Sequence, residues 1–287
     1  MTAERKRRYH RVMSVPVEIS AWKPAPFALK GQQVFAVGDV HGCSAELGAL
    51  LDTFAGVPRE GTGKRRLVYL GDMIDRGYDN IGALTLWAED EAARGVDRID
   101  RLMGNHEQLM IVAVCGGPHA AKAESHWLTD RAGGAKVLAE MRTKVGDQAA
   151  PLGQALLAAA LGENIVMRLN EMRSHVTVGN ALFVHGGLDG QAEQDEFLAR
   201  PWTSLTGARW AWITTGFLDW TGGFNGTLVV HGHTPPIKHF PLTGQEDPHL
   251  FQYDRLGLDG GSAITGIVTA AEIQDGRYRI LKAGTLN

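Results

Sequence analysis

The chain is poor in cysteine. Only Cys43 and Cys115 occur in 287 residues. A disulfide framework is therefore excluded, and a reducing compartment is the expectation. No run of about 18 apolar residues exists, so no membrane span is expected. The basic start, from Arg5 to Arg11, is not followed by the apolar stretch of a secretory leader. It reads as a tail, and cytoplasmic localisation is expected. Charge of one sign is missing too. A formal net charge of −3 gives no bulk attraction to nucleic acid or to a membrane surface. Repeats, low-complexity tracts and clear linkers are also absent.

What remains is an ordinary globular composition, 44% hydrophobic and 21% charged. The chain is long enough to bury a core without disulfides or structural metals. Residues 1–30 read as a tail and lead-in, because Pro16, Pro24 and Pro26 discourage regular structure. Residues 31–287 read as one domain. Glycine is plentiful, at 36 residues, and much of it lies beside Asp or His. That fits tight loops that place side chains in a site.

Apolar runs locate the strands. Gln33 to Val37, Leu67 to Leu70 and Arg98 to Met103 are each stopped by Gly-Asp or Gly-Asn. Leu47, Leu50, Leu51 and Phe54 repeat at helical spacing, with Ser44 placed to cap that helix. Further helices are expected from about Asn80 to Arg94 and from Glu107. Strand, loop and helix thus repeat three times, which predicts a largely parallel sheet with ligands at its carboxyl ends. Residues about 118–173 are rich in Ala and read as a helical insertion. It is either one wall of the cleft or plain structure. Strands return at Ala181 to Val184 and Thr227 to Val230. Further candidate strands are His249 to Tyr253, Ile264 to Ile273 and Tyr278 to Leu281.

Four motifs carry chemistry: Gly38-Asp39-Val40-His41-Gly42, Gly71-Asp72-Met73-Ile74-Asp75-Arg76-Gly77, Gly104-Asn105-His106-Glu107 and His185-Gly186-Gly187. Carboxylates are hard oxygen ligands, and neutral imidazole suits transition metals. Asp39 and His41 can share a cleft, and Asp72 can bridge two cations with its two oxygens. Asn105 offers an amide oxygen. His185 and one histidine of His231-Gly232-His233 complete the set. Two such cations clamp a phosphoryl group and acidify a shared water, so no side-chain nucleophile is needed. Arg76 suits bidentate phosphate binding. His106 is placed to protonate the leaving oxygen, with Asp75 holding and polarising it.

The order of these motifs resembles the phosphoprotein phosphatase family of calcineurin-like metallophosphoesterases. That group holds serine/threonine phosphatases and bacterial diadenosine tetraphosphatases. The resemblance runs from about Val34 to Ile273. It implies a four-layer α/β/β/α sandwich and a dinuclear site, with Mn²⁺ foremost and Fe, Zn²⁺ or Co²⁺ also accepted. It implies that Asp39, His41 and Asp72 hold the first metal, and that Asp72, Asn105, His185 and His233 hold the second. His233 is preferred to His231 because Gly232-His233-Thr234-Pro235 resembles the family's Gly-His-Thr-Pro. His231 is then left to packing or support. His106 with Asp75 resembles the family's acid pair, and Arg76 its phosphate-contacting arginine. Leu258-Asp259-Gly260-Gly261 resembles its closing segment.

One departure stands out. Relatives carry a second phosphate-binding arginine after a Trp-Ile pair, but Thr214 and Thr215 follow Trp212-Ile213 here. Arg209 is the nearest substitute, then Arg200. The expected function is hydrolysis of phosphomonoesters, foremost phosphoserine or phosphothreonine in protein, by attack of metal-bound hydroxide. The alternative is hydrolysis of dinucleoside polyphosphates or small phosphoesters, including diesters. A metal-binding interaction scaffold without catalysis is the remote third. Other features carry less. Gly61-Thr62-Gly63-Lys64 lacks the Ser/Thr of a phosphate loop and precedes a strand, so it reads as a loop. Cys115 reads as a buried or inert thiol. Trp202, Trp210, Trp212 and Trp220 read as core.

Overall fold

A computed structural model describes residues 15–203, 205 and 207–285. The basic start expected as a tail, Arg5 to Arg11, lies outside the described residues. The lead-in beyond it is not free of structure. β1 (Val17–Ile19) and β2 (Lys23–Pro24) each pair antiparallel with β11 (Arg277–Ala283). Pro24 is tolerated because β2 is a two-residue strand at the sheet margin, where a missing N–H costs least.

Three parallel strands, β3 (Gln33–Val37), β4 (Arg65–Tyr69) and β5 (Arg98–Arg101), form one side of this first sheet. β10 (Val268–Gln274) lies antiparallel between β3 and β11. The sheet is therefore mixed: parallel where the repeats build it, antiparallel where the C-terminal strands close it. A second sheet follows the order β6 (His175–Val178), β7 (Ala181–Val184), β8 (Leu228–His231), β9 (Arg255–Gly257). Its last three strands are parallel.

Side chains alternate along each strand, and here both faces are covered. Val34, Ala36, Val68, Ala181, Phe183 and Val230 share the core between the sheets. Phe35 and Val37 face outward onto Leu47, Leu50 and Phe54 of α1 (Ser44–Gly56), with Phe35 and Phe54 stacked at 4.5 Å. Leu182 and Val184 cluster with Phe197, Trp210 and Phe217, which belong to the short helices α9 (Gln194–Leu198), α10 (Arg209–Trp212) and α11 (Thr215–Leu218). Helices therefore cover both outer faces, as in an α/β/β/α sandwich. Continuous apolar strands are what two-sided burial demands.

Several local expectations change. Ser44 does not cap α1; its hydroxyl donates to Asp79 at 2.5 Å. Asp79 in turn caps α2 (Asn80–Trp87) by accepting from Gly82 N–H. The helix expected to reach Arg94 breaks, because Asp90 caps a separate α3 (Glu91–Arg94). Residues 249–253 do not form a strand. Tyr253 and Asp254 have positive φ, which turns the chain before β9. Ile264 and Thr265 end α13 (Ser262–Thr265), and left-handed Gly266 separates it from β10.

The alanine-rich segment is helical. After α4 (Asn105–Cys115) it runs through α5 (Ala120–Trp127), α6 (Gly134–Val145) and α7 (Gln154–Leu161) to α8 (Glu163–Asn170). α12 (Pro236–Thr243) follows β8. Cys43 is buried, which pushes its thiol up to about 12, whereas Cys115 is exposed rather than buried. Among the described residues no helix is long and apolar enough to cross a membrane.

Candidate active site

The four motifs and the His231-Gly232-His233 segment all lie just past the carboxyl ends of β3, β4, β5, β7 and β8. They therefore meet at one edge of the sandwich. The loops bind one another: Val40 and His41 N–H both donate to Asp72 O, at 3.0 and 2.9 Å. Among the described residues nine non-glycine residues have positive φ, and His41, Asp72, Asp75, Arg76 and His233 are five of them. Such a concentration of costly backbone persists only where neighbours enforce it.

Glu107, which closes the Gly104-Asn105-His106-Glu107 motif, is the main enforcer. It is fully buried. Its carboxylate accepts from the N–H groups of Asp72 (2.8 Å), Met73 (2.7 Å), Ile74 (3.3 Å) and Gly104 (3.1 Å). One side chain thus pins the Asp72 loop to the start of α4. Gly104 is needed there, since a Cβ would collide with Asp72.

The metal-suited groups fall into two triads that share Asp72: His41, Asp72 and His106, and Asp72, His185 and His233, each with donor atoms within 4.8 Å of one another. The second matches the expected set, and Asn105 joins it. Its Oδ1 lies 3.1 Å from His185 Nε2 and 2.9 Å from His233 Nδ1. In the first, His106 stands closer than Asp39, which was expected there. Asp39 Oδ2 is 4.0 Å from His41 Nε2, and both Asp39 oxygens accept from His233 N–H.

Tautomers are set from behind. His41 Nδ1 is 2.8 Å from Ile74 O and His185 Nδ1 is 3.0 Å from Leu70 O. A ring that donates Nδ1–H to a carbonyl turns its Nε2 lone pair to the site. Burial, reinforced by His106, lowers His41 to about 3. Burial and His185 lower His233 to about 3. Both rings are thus neutral and able to donate to a cation. Burial opposes protonation of His185, but Asp72 outweighs it and raises His185 to about 10. A divalent cation would compete with that proton for the same lone pair. Burial raises Asp39 well above its ordinary value, and the neighbouring Asp259 adds to this. Packing these buried carboxylates together calls for positive charge among them.

Beside the triads lies an acid–base pair. His106 Nδ1 is 2.5 Å from Asp75 Oδ2. Trp127, at the end of α5, donates its indole N–H to Asp75 at 2.9 and 3.0 Å. No sequence signal pointed to Trp127. Gly134 makes room for it, because a Cβ there would overlap the indole. Arg76 reaches His41 Nε2 at 3.0 Å and His106 Nε2 at 2.9 Å. Its own Nε donates to Arg131 O at 3.2 Å.

Comparison with known proteins agrees with this geometry. The family model described as calcineurin-like phosphoesterase matches residues 33–237. The chain belongs to the calcineurin-like phosphoesterase family. It is 30% identical over 92 residues to a symmetrical bis(5'-nucleosyl)-tetraphosphatase of Paracidovorax citrulli, covering 32% of this chain and 30% of that protein. It is 33% identical over 97 residues to serine/threonine-protein phosphatase 1 of Salmonella typhimurium, covering 34% of this chain and 38% of that protein. The matches thus span about a third of these curated relatives. The solved structure of a cold-active protein-tyrosine phosphatase of a psychrophilic Shewanella shares the fold. Its TM-score is 0.54 at 20% identity, over 88% of this chain and 81% of that one.

The cleft encloses about 680 Å³, the size of a small-molecule site. Asp72, Arg76, Asn105, His106 and His233 line it, and so do His126, Arg131 and Ala132 of the helical segment. That segment is therefore both wall and structure. Trp212 also lines the cleft, edge-on to His126 at 5.9 Å, although all four tryptophans had been read as core. Asp259, noted only for its motif, is buried in the floor.

The expected substitute arginine is not there. Arg209 pairs with Asp189 at 3.3 Å, sits over Phe197 and is not among the lining residues. Arg200 likewise sits over Phe197. His231 is buried against Phe217, outside the cleft lining, which agrees with the preference for His233.

Proposed function

We propose that this chain is a dinuclear-metal-dependent phosphoester hydrolase. The observation that carries the reading is the pair of overlapping triads that share Asp72, with Arg76 and the His106–Asp75 pair beside them. The donors fit divalent cations: carboxylate, amide oxygen and neutral imidazole around one buried aspartate. Asp39, His41, Asp72, Asn105, His185 and His233 would hold the two metals. Mn²⁺ is the first choice, and Fe, Zn²⁺ and Co²⁺ accept the same donors. Once bound, such ions polarise the phosphoryl group and supply a nucleophile from water.

The chain's own residues do the rest. Arg76 meets the phosphoryl oxygens with its planar fork. It links His41 to His106, so it sits between the metal-suited groups and the acid. His106 gives a proton to the departing oxygen, and Asp75 orients the ring through Nδ1. Trp127 holds Asp75 in turn.

Two substrate classes stay in play, and the matched relatives are named for one of each. Phosphoserine or phosphothreonine in protein is the first expectation. His126, Arg131 and Ala132 line one wall of the cleft, and a walled site favours the second, a small phosphoester such as a dinucleoside polyphosphate. The deciding experiment strips the protein of metal and reloads it with Mn²⁺, Fe²⁺, Zn²⁺ or Co²⁺. Each form is assayed on a phosphopeptide, an aryl monoester, an aryl diester and diadenosine tetraphosphate. Turnover should need metal. No turnover with any metal would sink the hydrolase reading, and turnover of the polyphosphate alone would sink the protein-phosphatase reading.

A further inference from the structure

Two cations in the cleft have nothing to neutralise them. Arg131 lies in the loop between α5 and α6, and Lys238 on α12; both line the cleft and are exposed. Neither side chain has a hydrogen-bond or ion-pair partner among the described residues. The acidic groups that line the cleft are Asp72 and Asp259, both buried at its floor. The floor is thus rich in carboxylates suited to cations, and the mouth carries bare positive charge.

The Arg131 loop is tied to the phosphate-facing arginine. Arg131 O accepts from Arg76 Nε, and Lys136 Nζ donates to Arg76 O at 2.5 Å. Gly133 packs so closely on Arg76 that a Cβ would overlap it. Arg131 therefore stands one side chain's reach from the point where Arg76 meets a phosphoryl group. Lys238 faces the same space from the segment that follows His233. A phosphoryl group held by Arg76 needs neither of them.

We propose that Arg131 and Lys238 form an outer anion subsite that takes a further phosphate of the leaving group. This rests on the hydrolase reading above and narrows its substrate to a phosphoanhydride chain. The subsite is no substitute for the arginine absent after Trp212-Ile213, because Arg131 and Lys238 stand exposed at the mouth of the cleft. It therefore selects for substrate length rather than strengthening the clamp on one phosphate.

The test uses the metal-loaded, full-length chain, with inorganic tripolyphosphate and orthophosphate as competitors of aryl monoester hydrolysis. In Arg131→Gln/Lys238→Gln the inhibition constant for tripolyphosphate should weaken by about 10-fold or more, the scale of lost charge-assisted bonds. That for orthophosphate should weaken far less. Lys144→Ala, an exposed cation on α6 outside the cleft lining, should alter neither. Equal weakening for both anions, no weakening, or the same loss in Lys144→Ala would overturn the proposal. Calorimetric binding of the two anions gives the same comparison without turnover. If the wild-type chain hydrolyses nothing, the hydrolase reading fails while binding still decides the subsite.

Discussion

Trp127 donates its indole N–H to both oxygens of Asp75, and Asp75 holds His106 Nδ1 at 2.5 Å. A helix of the alanine-rich segment thus reaches His106 through Asp75. Asp75 is fully buried, and burial raises it well above the ordinary carboxylate range; the Trp127 bond works against that rise.

Trp127→Phe keeps an aromatic ring and removes that donor. The Asp75 pKa should climb further, weakening its hold on the His106 ring. Turnover should fall by about 10-fold, the lower end for a supporting residue behind a site, with metal content unchanged. Steady-state kinetics beside metal analysis checks this, and unaltered kcat would remove Trp127 from the machinery.

His106 stands both in a metal-suited triad and in the acid pair, and His106→Asn separates the two roles. A proton donor loses turnover by roughly 10²–10⁴-fold with metal retained. The expected result is that loss with two metals still bound. Loss of a metal equivalent would make His106 a ligand instead.

Glu107→Gln should damage the site through its backbone. The amide offers one acceptor oxygen in place of two, and its NH₂ faces the N–H groups of Asp72, Met73, Ile74 and Gly104. Leaving buried donors unpaired costs about 1–3 kcal/mol. Urea unfolding should show that loss, and metal titration should show weaker binding. A variant with wild-type stability and affinity would contradict the clamp.

Arg209→Ala should change kcat/KM by less than about twofold. The side chain is about half exposed and pairs with Asp189 away from the cleft, and such surface pairs contribute little. A large rise in KM for a monoester would restore Arg209 as the missing clamp.

Stability should fall with acid through His249, which does not line the cleft. Its Nδ1 lies 2.8 Å from Gly257 O, and burial lowers its pKa to about 4. An unfolded histidine titrates near 6.5. Below that pH the unfolded chain takes up a proton that the folded chain refuses until about pH 4. The stabilising contribution is whole above the unfolded value and drains away as pH drops, by about 2 kcal/mol between pH 7 and pH 5. Urea midpoints of metal-stripped wild type and His249→Gln should therefore converge on acidification. Parallel slopes would show that His249 is not the group responsible.

The sequence carried the strand-end loops well, because Gly-Asp and Gly-Asn stop apolar runs in a pattern that both folds the sheet and places the ligands. The groups around Asp72 and His106 were legible for that reason. Trp127 was not. Its role depends on how α5 packs beside the Asp75 loop, and no local spacing encodes a contact across 52 residues. Arg131 escaped notice for the same cause. Glu107 was visible in its motif, yet four backbone donors gathered from two loops leave no trace in a one-dimensional pattern. Residues 249–253 looked like a strand by composition, but the left-handed turn at Tyr253 and Asp254 is made by residues that rarely adopt it.

The stretch from Trp127 to Gly134 carries the indole that holds Asp75, the Arg131 lip of the cleft, and the glycine that lets the indole fit. On the roles proposed above, substrate preference and proton delivery share one short loop. A transplant of that loop from a relative would alter both properties together, and selection for a new substrate at Arg131 would always be weighed against the pKa of the acid.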